Sequence, residues 1–261
     1  MTQSSVAVSA DGKTWAILNA SPDIRTQLQG TPALQPESLR STTIASVVVT
    51  NADVDHIAGL LTLREKTGFS LFATAEILST LAGNSIFNVL DPDLVPRRPI
   101  TLETAFNAAP GLTICAFSVP GKVALFLEKE DVALAEIGEQ TVGLIVTDGV
   151  RCLAYLPGCA LIPDWLISRL QGIDFLLFDG TVWRNDDMQR TGTGEKTGAR
   201  MGHVPMSGPH GSLARLTSLQ TRKAYIHINN TNPVLQPNSP ERAIVTKAGW
   251  EIAQDGMEFR L

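Results

Sequence analysis

The chain has 261 residues, 44% of them apolar and 18% charged, which is enough apolar material for a large core and gives no sign of disorder. Its net charge of −5 argues against a nucleic-acid partner, which asks for a basic face. No apolar run approaches a membrane span, and the opening MTQSSVAVSADGK has neither a basic start nor an apolar leader segment, so a cytoplasmic protein that is not membrane-embedded is expected.

SVAVSA and TWAILNA read as strands joined at the turn dipeptide Asp11-Gly12, and Ser21-Pro22-Asp23 reads as a capped helix start. Val47 to Thr50 ends an apolar strand. A polar loop with Asn51, Asp53, Asp55 and His56 follows, then a short helix with Leu60, Leu61 and Leu63. SLFAT is a strand, AEILSTLAG a helix closed by Gly83, and residues 86–110 an irregular, proline-containing surface excursion. LTICAFSV and VALFLE are strands on either side of Pro120-Gly121-Lys122, and TVGLIVTDGVRCLAYLPG is a hairpin about Asp148-Gly149. PDWLISRL is helical, IDFLLFDG is a buried strand ending at Asp179, and SLARLTSL, KAYIHI and SPERAIVTKAG are helix, strand and helix before a last short strand. With no repeat and no linker, the expectation is one α/β domain over residues 1–261, two sheets face to face with helices outside.

Cys115, Cys152 and Cys159 are odd in number and widely spaced, which points to buried reduced thiols and not to a disulfide framework or zinc knuckle. TGTGEKTG lacks the adjacent Gly-Lys-[Ser/Thr] of a phosphate loop because Glu195 intervenes; Gly192, Gly194 and Gly198 suggest a flexible lid instead. Of four histidines, His56 and His227 fall at or just beyond strand C-termini, as does Asp179. That edge of an α/β fold is where ligands collect, so Asp55-His56, Asp179 and His227 are candidates to converge on one ion. His210 reads as a surface residue.

TNADVDHIAGL is similar to a degenerate form of the HxHxDH loop of the metallo-β-lactamase superfamily. LLFDGT falls at that superfamily's bridging aspartate and YIHINNTNP at its last histidine. More narrowly, NADVDHIAGLLTLRE, IFNVLDPDLVPRR, VPGKVAL, FDGTVW, MGHVPMSGPHGSL and HINNTNPVL together resemble the coenzyme PQQ biosynthesis protein B family (PqqB) over nearly the whole chain. The resemblance implies an αββα sandwich of two mixed sheets. Members of the family usually begin earlier, with a first strand and a cysteine cluster able to hold a structural zinc. This sequence starts about where that segment ends; either the segment is missing, which would leave a sheet edge exposed, or the start is misplaced.

The resemblance also implies a site. Hydrolytic members of the superfamily bind two metals; here the first set of ligands is replaced by Asn51, Asp53 and Lys122, and an asparagine amide is a poor zinc ligand while a protonated lysine is none. The second set, Asp55, His56, His227 and Asp179, is intact, so one divalent ion is expected, with two-metal water activation weak or absent. Two histidines with carboxylate and open positions suit Fe(II) oxygenase chemistry, and Fe(II) is favoured, while Zn(II) fits the same donors. PQQ is built from a glutamate and a tyrosine within a peptide, and the family resemblance implies hydroxylation of the tyrosine ring of a Glu–Tyr precursor. Lys122 and Arg200, with Arg25 and Lys196 further off, are candidate partners for its carboxylates. Asn51 and Asp53, freed from metal, join them as candidate substrate contacts, and Lys122 and His203 are the candidate catalytic groups. Asn230 and Thr231 are expected close enough to His227 to support it, and are further candidate substrate contacts. Two other readings stand: a non-catalytic carrier assisting transfer of PQQ or its precursor to the periplasm, and a mononuclear zinc hydrolase. Other PQQ biosynthesis proteins are the partners that the resemblance suggests.

Overall fold

The computed structural model describes residues 2–3, 5–128 and 134–261. The first sheet contains β1 (Val6–Val8), β2 (Trp15–Leu18), β3 (Ile44–Val48), β4 (Ser70–Thr74) and β5 (Arg97–Ile100), in that spatial order. Only the β1/β2 pair is antiparallel. Its connections carry α1 (Ile24–Gly30), α2 (Val54–Ile57) and α3 (Ala75–Gly83), the last capped by the Thr74 hydroxyl, which accepts from Ile77 N. The second sheet holds β6 (Ala105–Ala109), β7 (Leu112–Ser118), β8 (Val142–Thr147), β9 (Cys152–Leu156), β10 (Phe175–Asp179), β11 (Arg222–Ile226) and β12 (Trp250–Ile252). Strands β6 to β9 form an antiparallel meander; β9 to β12 are parallel, with α4 (Asp164–Arg169), α5 (Asp187–Arg190), α6 (Gly198–Met201), α7 (Ser212–Arg215) and α8 (Pro240–Lys247) in the crossovers.

Strand alternation builds the layers. On β2, Ala16 and Leu18 face the other sheet while Ile17 faces outward; on β3, Val48 goes in and Val47 out. The inward set meets Ile114, Leu144, Tyr155 and Phe175 between the sheets. The outward set packs beneath Ile24, Ile57, Leu60, Ile77 and Leu81, and Phe117, Leu156 and Phe178 pack beneath Leu166, Leu216 and Val245 on the far side. The result is an αββα sandwich.

The structure differs from the sequence expectations in three places. The excursion at 86–110 contains β5 and β6. VALFLE is not a strand: Leu125–Leu127 is a single 3-10 turn. Ser21 does not cap α1 with its side chain, which bonds to Gln27 Oε1 instead, although its carbonyl accepts from Ile24 N. Among the described residues no helix is long and apolar enough to cross a membrane.

Candidate metal centre

Three strand ends build the site. β3 is fully apolar at its C-terminus and breaks at Thr50, whose carbonyl accepts from Val142 N in the opposite sheet. Asn51 then bridges Thr141, and α2 starts within three residues, so Asp55 and His56 lie at the rim of both sheets. β10 is buried along its whole length and runs parallel to β11 with Asp179 opposite Ile226, which sets Asp179 next to His227. The chain turns at His227 with φ of 54°, a left-handed conformation uncommon outside glycine and costly by about 1–2 kcal/mol. Thr181 fixes that turn: its hydroxyl lies 2.9 Å from the His227 carbonyl and 2.7 Å from His227 Nδ1, and its own carbonyl accepts from Asn229 N.

The proton positions follow from the partners. Asn51 Oδ1 accepts from the Asp53 backbone N–H at 3.0 Å, which identifies it as the amide oxygen, so His56 Nδ1 at 2.7 Å must be the donor. His56 Nε2 is then a bare lone pair, fully buried and without a hydrogen-bond partner, 3.9 Å from Asp55 Oδ2. His227 Nε2 lies 2.7 Å from that same carboxylate oxygen. Asp55, His56 and His227 place one donor atom each within 4.8 Å of one another. An orphaned buried imidazole nitrogen facing a carboxylate and a second imidazole is what an ion would satisfy, and Asp55, one-third exposed, leaves the far side open.

Asp179 sits deeper, with no exposed surface. Its oxygens accept from Thr181 N (3.0 Å), Thr181 Oγ1 (2.7 Å), Cys159 N (3.1 Å) and His203 Nδ1 (2.7 Å). Asp179, His203 and His227 also lie within ligand range of one another, but these atoms are satisfied mutually, through protons and through Thr181. Asp179 therefore forms a hydrogen-bonded floor under the first three and could ligate only by giving up a donor.

The electrostatics agree with the proton count. Burial, opposed by the Asp55 charge, pulls His56 down to about 4, so it is neutral and able to ligate. Burial also pulls on His227, yet the hydrogen bond to Asp55 and the charges of Asp55 and Asp179 outweigh it and raise the pKa. Burial raises Asp55, but the hydrogen bond and positive charge of His227 hold it well below the usual carboxylate range.

The other sequence candidates divide. Asp53 accepts from Leu125 N through Oδ1 at 3.0 Å. Lys122 is buried and contacts Glu128 Oε1 at 3.0 Å and the Val123 carbonyl at 3.1 Å. Arg200 and Lys196 both reach Glu128 Oε2, at 2.8 and 3.6 Å; Arg25 lies exposed on α1. Asn230 is exposed and Thr231 Oγ1 lies 3.7 Å from the Met188 sulfur; the hydrogen bond to His227 Nδ1 comes from elsewhere. Thr181 makes it, a residue that sequence reasoning passed over inside FDGT because a threonine after Asp-Gly is ordinary turn chemistry. Nor was Glu128 foreseen. Of the lid glycines only Gly192 has positive φ, 67°; Gly198 serves close packing, since a Cβ there would lie 2.7 Å from Val182 Cγ2 and 3.1 Å from the His203 carbonyl. His210 is exposed, and the three cysteines are free, Cys159 buried and Cys115 and Cys152 only half-buried.

Fold and donor set together define a metallo-β-lactamase-type protein, and residues 14–228 match the family model of the beta-lactamase superfamily domain. A coenzyme PQQ synthesis protein B from Ruegeria pomeroyi is 57% identical over 259 residues, covering 99% of this chain and 88% of the relative, and one from Methylobacterium sp. is 52% identical over 262 residues, with 100% and 88% covered. The crystal structure of Zn(2+)-bound PqqB from Methylobacterium extorquens superposes with a TM-score of 0.98 at 50% identity, covering 100% of this chain and 88% of that one. This chain belongs to the coenzyme PQQ synthesis protein B family.

Proposed function

We propose that the chain acts in PQQ synthesis as a mononuclear metal enzyme that hydroxylates the tyrosine ring of a Glu–Tyr precursor, with Fe(II) held by Asp55, His56 and His227. The observation that carries this reading is the donor set itself: one carboxylate and two imidazoles around an open face, the ligand set of non-haem Fe(II) oxygenases. Bound there, Fe(II) would supply activation of O2, and a two-electron reductant would provide the electrons that the second oxygen atom needs to leave as water. The chain's own groups do the rest. Asn51 holds His56 in the tautomer that presents Nε2. His203, anchored through Nδ1 on Asp179, can hold or deliver a proton at Nε2. The cations beside it, Lys122 and Arg200, are suited to orienting carboxylates of the precursor. Zinc suits the same three donors, and the relative from Methylobacterium extorquens bound Zn(2+), so a zinc hydrolase is the second reading.

Purification without oxygen, loading with Fe(II) or Zn(II), and counting metal in wild type and in His56→Ala/His227→Ala tests the ligand set. Each form then meets a Glu–Tyr dipeptide, ascorbate and O2, with products followed by mass spectrometry. The expected result is close to one iron per chain, lost in the variant, and a product one oxygen atom heavier from the iron form alone. Cleaved dipeptide from the zinc form would favour the hydrolase; bound but unchanged dipeptide would leave a carrier.

A further inference from the structure

Three cations converge on one carboxylate beside the metal centre. Lys122 follows β7, Lys196 precedes α6 and Arg200 lies on α6; all three point at Glu128, at 3.0, 3.6 and 2.8 Å. Glu128 and Lys122 are more than nine-tenths buried. The packing is continuous with the site: a Cβ placed on Gly202 would lie 3.2 Å from Lys122 Cγ, and the next residue is His203.

Two features mark this as a binding site and not a finished structural ion pair. The first is charge. Three positive groups share one negative group among the described residues, so the cluster carries two more positive than negative charges. Lys122 is buried while Arg200 and Lys196 are about one-third and two-fifths exposed, so the surplus faces the opening, where a ligand with more than one carboxylate would offset it. The second is geometry. A guanidinium is shaped to grip a carboxylate with two parallel hydrogen bonds, yet Arg200 engages Glu128 through Nη2 only, and its Nη1 is buried with no partner among the described residues. The cations hold Glu128 strongly ionised, Arg200 contributing most, with its pKa lowered to about 2.

The segment that delivers Glu128 presents its apolar side chains to solvent. It is the 3-10 turn Leu125–Leu127, whose three large side chains are all substantially exposed. Leu125 N bonds to Asp53 Oδ1, and the paired backbone hydrogen bonds between Gly121 and Glu136 close the base of the loop. Withdrawing Glu128 would uncover little apolar surface that is not already in water.

We propose that Lys122, Lys196 and Arg200 form a polycarboxylate-binding site that Glu128 occupies in the ligand-free chain, and that ligand enters by displacing Glu128. This rests on the reading of the substrate as a carboxylate-rich precursor and adds to it an internal competitor. A ligand that must displace Glu128 binds more weakly by the fraction of time the site is free. If that fraction is about one-tenth, removing the competitor tightens binding about tenfold.

Calorimetric titration of the full chain, as purified and zinc-loaded, with tricarballylate and with Glu–Tyr dipeptide tests this in wild type, Glu128→Gln, Arg200→Gln and the double variant. Glu128→Gln is expected to bind both probes about tenfold tighter, and the gain is expected to vanish in the double variant. Unchanged or weaker binding by folded Glu128→Gln overturns the proposal. Should that variant unfold, Glu128→Asp, one methylene shorter, takes its place, and wild-type affinity there overturns it equally. The readout needs no turnover. Tighter binding with no hydroxylated product would keep this site and remove the hydroxylase reading; product formed at an unchanged KM in Glu128→Gln would do the reverse.

Discussion

Asn51 leaves His56 a single direction in which to act. It takes the Nδ1 proton, the ring is buried, and Nε2 faces Asp55 and His227. Replacing Asn51 by Ala should therefore loosen the ring without touching a ligand atom, lowering metal affinity about 10–100-fold as loss of a ligand's hydrogen-bond partner typically does. Competition against a chromophoric chelator measures it, and unchanged affinity would mean that burial alone orients the ring. The same residue sets an acid limit for the metal-free fold. His56 titrates at about 4 in the folded chain against 6.5 as an ordinary histidine, so the unfolded chain binds the extra proton first as pH falls. The stability that neutral His56 contributes is present above 6.5 and is lost progressively toward 4, up to about 3 kcal/mol at the acid end. His227, raised, acts with the opposite sign, since its ion pair with Asp55 weakens as pH rises through its folded pKa. Melting temperatures of metal-free wild type and His56→Gln between pH 7 and 4 should converge on acidification; parallel curves would show that His56 is not the group responsible. His56, Asp55, Asp179 and His227 were legible in the sequence because each ends a patterned strand or opens a helix. Asn51 was legible only as a lost ligand, since its hydrogen bond to His56 depends on where the chain turns in space.

At the level of elements, α2 is placed by its contact with the end of β2. Ala20 N donates to the His56 carbonyl at 2.8 Å and Gly59 N donates to the Ala20 carbonyl at 2.9 Å. Gly59 is essential to that approach, because a Cβ there would fall on the Ser21 carbonyl oxygen. Gly59→Ala should cost about 1–3 kcal/mol as an overpacked contact, and should weaken metal binding because Asp55 and His56 move with α2. A thermal melt and the chelator competition together check this; lower stability at unchanged affinity would separate the helix position from the site. The elements that the sequence concealed share a physical cause. β5 is RRPI, an edge strand paired with β4 alone among the described residues, and its arginines and proline are edge chemistry that reads as loop when no partner is in view. VALFLE has no polar contrast to set a period, and its conformation is decided by a bond to Asp53, some 70 residues away in sequence. The hairpin at Asp148-Gly149 was legible because it is local, with Thr147 opposite Cys152 across the turn.

For the whole molecule, the question is what holds two sheets in the register that brings their strand ends together. Apolar contact between the sheets supplies most of the stability but little direction, since it is roughly proportional to area. Direction comes from a polar clip beneath the site. Asn19, at the end of β2 with φ of 59°, a conformation that asparagine tolerates better than most residues, accepts from Thr50 N at 2.8 Å. Its amide nitrogen donates to Thr50 Oγ1 at 2.9 Å and to Tyr155 Oη, on β9 of the other sheet, at 3.2 Å. Thr50 in turn accepts from Val142 N across the sandwich and precedes Asn51. The clip thus ties β2, β3, β8 and β9 to the residue that orients His56. Asn19→Ala leaves the buried Thr50 N–H without its acceptor and should cost about 1–3 kcal/mol. Tyr155→Phe removes the acceptor of the Asn19 amide while the Asn19–Thr50 pair survives, and should cost about 1 kcal/mol for that bond. The two should part most clearly in metal affinity: Asn19→Ala lets Thr50 and Asn51 shift and weakens binding, whereas Tyr155→Phe leaves it as in wild type. Guanidinium unfolding of both variants beside the chelator competition decides the matter, and equal affinities in the two would mean that the sheets hold their register without the clip.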